Sequence, residues 1–408
     1  MKIATLGYDH DLRELIRYVM ATTEHTVVAC FDPGAGREEL AAIAPMAVNT
    51  DESWEALLTG SVADMVCVAA RPEQTRQAEQ RDEQLRKLVQ GPSPLIIIPP
   101  SCQMIVGFEL EMIRQDSECL MIPYHPVLYH PDYQRLRQIV NGAESSPLGK
   151  IEQLVWERQA NHRDRSSVLH AFSRDACVLR DLLVNVSRLA AMGGSDDDNA
   201  LANLGVHLTG DSDRLARWSI GPISQAAGAK LTVIGSQQTA SLIMPERSFD
   251  FELLLDGVKQ QAESGSPPAQ LLKVVTQEIE KSSSGTNNWE PVCRALELEE
   301  AVERSARRGR TIELHNEMVT ERETFKGMMA AGGCGLLLWV MTMLLIAGIV
   351  EGLQLPIRDS FLWKLWPLIL FAPLGIFLFL QLFQLAFANR NPEPQAKAST
   401  STRRETAE

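Results

Sequence analysis

The chain has 408 residues, 45% of them hydrophobic, and a formal net charge of −13 at pH 7. That length implies two or three domains with room for a sizeable core, and the acidic balance argues against nucleic acid as a partner. The seven cysteines, at 30, 67, 102, 119, 177, 293 and 334, form no CxxC pair; lying mostly inside apolar runs, they point to buried reduced thiols rather than a disulfide framework or a metal centre.

The stretch from Met1 to Asp32 organises the rest of the chain. Lys2-Ile-Ala-Thr-Leu-Gly7 is a short apolar run ending in glycine, and His10 to Thr22 carries Leu12, Leu15, Ile16, Val19 and Met20 at helical spacing. His25-Thr-Val-Val-Ala-Cys-Phe-Asp32 is a second apolar run, closed by an acid. Strand, glycine turn, helix, strand and terminal acid is the layout of a dinucleotide-binding βαβ unit. Gly7 would let the backbone turn tightly into a helix whose N-terminus faces a pyrophosphate. Asp32, 25 residues further on, could accept from a ribose hydroxyl. Gly7 and Asp32 are therefore the candidate binding residues for NAD or NADP. The second and third glycine positions hold Asp9 and Leu12 instead, and an acid at the second puts negative charge in the path of the pyrophosphate. The charges at Lys2, Asp9, Asp11, Arg13, Glu14 and Arg17 leave no apolar core for a signal peptide.

The alternation continues. Trp54 to Leu58 reads as a short helical stretch, Ala63 to Ala70 as a buried strand, and Pro72 opens a polar helix to about Gln90. Leu95-Ile-Ile-Ile98 is another buried strand, Phe108 to Arg114 a helix, and Cys119-Leu-Met-Ile122 a fifth strand-like run. Strands and helices at this pitch imply a doubly wound parallel sheet. After Pro123 the pattern changes. Pro131 to Asn141 is helical, Ile151 to Arg158 alternates like a half-buried strand, and Asp175 to Met192 reads as an apolar-rich helix. The acidic run in Gly193 to Asn199 reads as a solvated loop rather than a cation site. From Leu201 to Leu255 strands dominate, as in Ala229 to Ile234 and Ala240 to Met244, in the manner of a largely antiparallel sheet. Segments at 264–268 and 282–285 have linker composition, and Trp289 to Arg308 is an amphipathic helix.

Two further runs carry no charge: the 24 residues Gly327 to Val350 and the 25 residues Leu365 to Asn389. Each could span about 30 Å of hydrocarbon as a helix. Trp363 and Trp366 bracket the start of the second, where aromatic belts form. Lys and Arg cluster before the first run (Arg307, Arg308, Arg310, Arg322, Lys326) and after the second (Arg390, Lys397, Arg403, Arg404), against Arg358 and Lys364 between them. A multi-pass protein with two spans, both termini cytoplasmic and a short outer loop is the expectation, the lipid bilayer being one partner. The tail 390–408 is Pro-, Ser- and Thr-rich, a disordered composition.

Six stretches stand in a recognisable order: the βαβ unit, Asp64-Met-Val-Cys-Val-Ala-Ala70 and Leu85-Arg-Lys-Leu-Val-Gln-Gly91, then Leu148-Gly-Lys-Ile-Glu152, Leu231-Thr-Val-Ile-Gly235 and Ala301 to Leu314. In their order and spacing, over residues 1 to 315, they carry a resemblance to the Gfo/Idh/MocA family (glucose–fructose oxidoreductase, inositol dehydrogenase, MocA). It implies a Rossmann domain (1–123) that binds NAD(P), and an α+β domain (124–315) whose open sheet commonly joins copies into a homo-oligomer. The family's fourth strand normally ends in Glu-Lys-Pro, its lysine assisting proton transfer during hydride transfer. Here the segment reads Ile98-Pro99-Pro100, with Pro99 at the lysine position. The family also commonly places Asp-x-x-x-His on a second-domain helix. Matching Asp175 puts Leu179 at the histidine, and matching Asp181 to a later acid puts Val178 there.

Lys87, His125, His130, His162 and His170 all lie in range of an interdomain cleft as substitutes. His125-Pro126 and His130-Pro131 follow the fifth strand, where open sheets bind ligands, and His125 and His130 are the candidate catalytic residues. Asp175 and Asp181 read as helix-pairing or solvated acids. The leading expectation is a membrane-anchored oxidoreductase-family protein with degenerate catalytic residues. The alternatives are an active NAD(P)-dependent sugar or polyol dehydrogenase with a relocated base, and a non-catalytic, membrane-tethered dimerising scaffold.

Overall fold

The computed structural model describes residues 1–22, 24–48, 53–72, 74–142, 146–183, 185–193, 201–210, 214–223, 227–246, 248–261, 265–281, 289–314, 321–353, 370–373 and 375. Met1–Asn316 form one compact unit and Glu317–Glu408 a second.

The first unit opens with β1 (Lys2–Leu6), α1 (His10–Ala21), β2 (Thr26–Phe31), α2 (Arg37–Ile43), α3 (Pro45–Val48) and β3 (Met65–Val68). It continues through α4 (Thr75–Leu88), β4 (Leu95–Ile97), α5 (Met104–Ser117) and β5 (Met121–Pro123). These strands form a five-stranded sheet in the order β2-β1-β3-β4-β5, every pair parallel. The expected Rossmann-type sheet is thus present. Its strands read as unbroken apolar runs because both faces are covered: Met65, Val66, Cys67 and Val68 are all buried. On α1 the buried side chains are led by Leu12, Leu15, Ile16 and Val19, at helical spacing; each such burial is worth roughly 1.5–3 kcal/mol. The chain leaves β1 for β2 on one side and β3 on the other, so the gap between β1 and β3 is the switch point where open sheets bind ligands.

The second sheet follows α6 (Pro131–Asn141) and comprises β6 (Ile151–Gln159), then, after α7 (Arg165–Leu183), β7 (Val186–Met192), β8 (Gly205–Gly210) and β9 (Leu215–Gly221). The hairpins β10 (Gly228–Gly235), β11 (Thr239–Pro245), β12 (Glu252–Leu255) and β13 (Val258–Lys259) come next. Two helices, α8 (Pro267–Lys281) and α9 (Glu290–Arg308), precede the last strand, β14 (Ile312–Glu313). The order is β13-β12-β11-β10-β6-β9-β8-β7-β14. Among these pairs β6 and β9 run parallel, and the others antiparallel.

The apolar stretch 175–192 is not one helix. Its first half belongs to α7, which starts earlier, at Arg165. Its second half is β7, whose burial alternates along Val186–Met192 and which pairs with β8 and β14. A seven-residue apolar run is compatible with either conformation, and the distant partner strands decided between them. Helix α8 replaces part of what reads as linker. Its Leu271, Leu272 and Val275 join Leu12, Leu15 and Tyr124 in one core cluster, and Val292, Cys293 and Leu296 of α9, with Trp289 just before it, join the strands of the parallel sheet. The six described cysteine thiols, at 30, 67, 102, 119, 177 and 293, are free.

In the second unit α10 (Glu321–Gly352) coincides with the first expected membrane span, and Leu337, Leu338, Met341, Leu344, Leu345 and Ile349 on it are exposed. Among the described residues no helix is long and apolar enough to cross a membrane. The second expected span, 365–389, lies outside the described residues save 370–373 and 375, and so do the acidic loop 194–199, the 282–285 linker and the tail 390–408.

Candidate functional site

Two features meet at the C-terminal edge of the parallel sheet. The first is the βαβ turn. Gly7 adopts φ +88, a conformation open chiefly to glycine. Asp9 caps α1: one carboxylate oxygen accepts from the Leu12 amide at 2.8 Å and the other from the Ala70 amide, just past β3, at 2.6 Å. Burial, with Asp11 close by, raises its carboxyl pKa, while the two amides it accepts from and Arg174 favour the ionised form.

Across Gly7 lies Arg81 of α4, only 4% exposed. Its Nη1 donates to the Leu6 carbonyl at 2.9 Å and to the Ala69 carbonyl at 3.3 Å, and its Nε donates to Gln84 Oε1 at 3.2 Å. Gln84 Nε2 in turn donates to Asp32 Oδ2 at 2.6 Å. A Cβ added at Gly7 would overlap the guanidinium nitrogens of Arg81. The notch that the glycine opens is therefore filled by a guanidinium. A pyrophosphate placed there would displace Arg81 and meet the Asp9 carboxylate, so the residues present do not fit a dinucleotide in the usual βαβ pose.

The second feature is a cavity of about 370 Å³ between α1, the segment after β5, and the second sheet. His125 lines it, 2% exposed; neither ring nitrogen makes a well-formed hydrogen bond among the described residues, the Arg174 backbone offering only a weak contact. Burial, reinforced by the Arg174 guanidinium, pulls its pKa down to about 3, so the ring is neutral. His170 on the facing wall is lowered to about 4 by the same two causes. Arg158 forks onto Asp175 with Nε–Oδ2 at 2.6 Å and Nη2–Oδ1 at 2.5 Å, and Trp218 Nε1 donates to the same carboxylate at 2.8 Å. Arg174 pairs with Asp11 at 2.5 Å. Burial, the largest influence, raises the Asp11 carboxyl, but Arg174 together with His10 and His125 outweighs it and the pKa is lowered.

The fold explains how these groups converge. On β6 Leu154, Trp156 and Arg158 share one face by strand alternation, the first two buried in the core. On α7 the cavity side presents Ser167, His170, Ala171, Arg174 and Asp175, the i, i+3, i+4, i+7, i+8 stripe of a helix. Sequence reasoning named His125, His170 and Asp175 but missed Arg158 and Arg174, which those two periodicities would have exposed.

The other candidates stand elsewhere or in structural roles. His130 caps α6, accepting from the Asp132 amide at 3.2 Å, bonds the Phe249 carbonyl at 2.8 Å and stacks on Phe251 at 4.0 Å. Exposed His162 lies on the cavity rim. Lys87 sits over the Trp54 ring, 5.6 Å from its centre. Asp181 accepts from the Tyr133 hydroxyl at 2.7 Å and pairs with Arg137 at 2.9 Å. Asp32, at φ +47, remains exposed. Pro99 is buried just past β4, and Val178 and Leu179 are buried in the core of the second sheet. No group of metal ligands occurs among the described residues.

No protein-family model matches the chain, and no curated protein matches it. Solved structures do. A myo-inositol dehydrogenase from Corynebacterium glutamicum superposes with a TM-score of 0.60 at 16% identity, over 78% of this chain and 99% of the other. A UDP-N-acetylglucosamine 3-dehydrogenase from Acidithiobacillus ferrooxidans gives 0.59 at 17% identity, over 75% and 97%. An oxidoreductase from Agrobacterium radiobacter, crystallised with NAD+, L-tartaric acid and magnesium, gives 0.57 at 12% identity, over 77% and 98%. The chain thus shares the fold of these oxidoreductases; identities this low carry the fold and not the reaction.

Proposed function

We propose that the protein is a divergent, membrane-anchored relative of the Gfo/Idh/MocA oxidoreductases that binds a small polar ligand beside His125 and lacks the usual hydride-transfer apparatus. The observation that carries this reading is the cavity itself: a neutral imidazole with no well-formed hydrogen bond on either nitrogen, facing two arginines already committed to Asp11 and Asp175. With the charges paired internally, the open hydrogen-bonding capacity belongs to a neutral group, suited to a ligand that offers hydroxyls. Pro99 in place of the resemblance's lysine, and Val178 and Leu179 in place of its histidine, leave no acid at those positions to move a proton. Anchoring rests on the sequence alone, on the charge-free runs 327–350 and 365–389.

A second reading, an active dehydrogenase with a relocated base, is favoured by a structural neighbour crystallised with NAD+. His125 would serve as that base only once a bound ligand raised its pKa from about 3 towards neutrality.

The full chain in detergent micelles, mixed with a panel of sugars, polyols and hydroxy acids, separates the two by thermal shift and by absorbance of the reduced nicotinamide. Stabilisation by a panel member without nicotinamide turnover is the expected result. Turnover that His125→Leu abolishes would establish the second reading instead. No ligand at all would leave the membrane-tethered scaffold, whose copies would pair across the second sheet.

A further inference from the structure

A dinucleotide-binding βαβ unit leaves three things open for its cofactor: a glycine notch for close backbone approach, helix N-terminal amides for the pyrophosphate, and an acid for the ribose. In this chain each is already engaged by the protein. The Asp9 carboxylate sits on the first turn of α1 and bridges to the Ala70 amide, an internal anion at the switch point between β1 and β3. The Arg81 guanidinium lies in the Gly7 notch with its donors turned inward to the Leu6 and Ala69 carbonyls and to Gln84. One oxygen of Asp32 is held by Gln84.

We infer that this cofactor cleft is self-filled: Asp9 and Arg81 occupy the place of a pyrophosphate, and the His125 cavity works without a dinucleotide. Asp9 takes the anion's role at the helix N-terminus, where a second anion would meet like charge. Arg81 neutralises Asp9 and Asp32, the two acids whose attraction opposes the lowering of its own pKa by burial. Gly7 is then retained for a different partner, since a side chain there would strike the guanidinium as surely as it would strike a phosphate.

An arginine at this spot could in principle serve as a phosphate ligand, and the sign of its removal decides between the two roles. The full-length protein in detergent is titrated with NADH and with NADPH, following energy transfer from tryptophan to the nicotinamide. Wild type is expected to show no saturation up to ~1 mM, and the Asp9→Asn/Arg81→Ala pair to gain at least ~10-fold in affinity. Saturable micromolar binding by wild type, weakened by Arg81→Ala, would overturn the inference. So would a folded double variant, verified by circular dichroism, that gains nothing. Where the double variant does not fold, Gln84→Ala and the wild-type titration carry the test: tight wild-type binding refutes the filled cleft, and its absence supports it. Failure here is distinguishable from failure of the proposed function. Cofactor binding without turnover would remove the filled cleft and leave that reading, whereas absence of both cofactor and small-ligand binding would do the reverse.

Discussion

The Arg174 guanidinium reaches the Asp11 carboxylate at 2.5 Å and so ties α7, which packs on the second sheet, to the first turn of α1. Asp11 is 3% exposed, so the pair is well shielded on the carboxylate side and its loss leaves a buried charge. Arg174→Ala should cost about 2 kcal/mol, less than a fully buried pair because Arg174 is partly solvated. Because the Asp11 pKa is lowered in the fold, the contribution is complete above the ordinary carboxylate value of ~3.9 and is lost as pH falls below it. Urea melts of wild type and variant at pH 7 and pH 3 check this, the difference shrinking at the lower pH.

His125 should behave unlike most core residues. Replacing a buried side chain whose ring nitrogens make no well-formed hydrogen bond removes a desolvation penalty, so His125→Leu should leave the melting temperature unchanged or raise it. The same substitution should abolish ligand stabilisation in the thermal-shift panel. Folded His125 titrates near 3 while the unfolded side chain does so near 6.5. Its stabilising contribution is therefore full above ~6.5 and declines as pH falls, by up to ~1.4 kcal/mol per unit for this one group. The variant should show the shallower acid limb.

Gly7→Ala combines a strained φ with a clash against Arg81 and should destabilise by roughly 2–3 kcal/mol. Arg81→Ala removes the clash but not the backbone strain. A double-mutant cycle by denaturant melting should therefore return a positive coupling of roughly 1 kcal/mol, and strict additivity would mean that the guanidinium does not fill the notch.

The membrane reading predicts that Ser360→Cys, in the loop between the two charge-free runs, is modified by an impermeant maleimide in intact cells. Labelling only after lysis would reverse the orientation. Release of the protein by alkaline carbonate would remove the anchor altogether.

Much of the fold was legible locally. The period-3.6 stripe of α1 and the unbroken apolar strands β3 and β4 carry their structure in their own composition, because what they bury is decided by spacing along the chain. The second sheet was harder. β7 reads as well as helix as it does as strand, and the partners that chose for it, β8 and β14, both come later in sequence, β14 more than a hundred residues away.

The βαβ turn divides the same way. From sequence alone Gly7 and Asp32 marked a cofactor layout, and Asp9 stood out as a charge in the wrong place. Only the tertiary structure showed what that charge does, because its partners are the Leu12 amide nearby and the Ala70 amide 61 residues on. Arg81 reaches the Leu6 carbonyl from 75 residues away. No window of local pattern contains such a contact: hydrogen bonds between crossing elements are set by how helices and strands pack, and it was that packing which closed the site the local sequence had outlined.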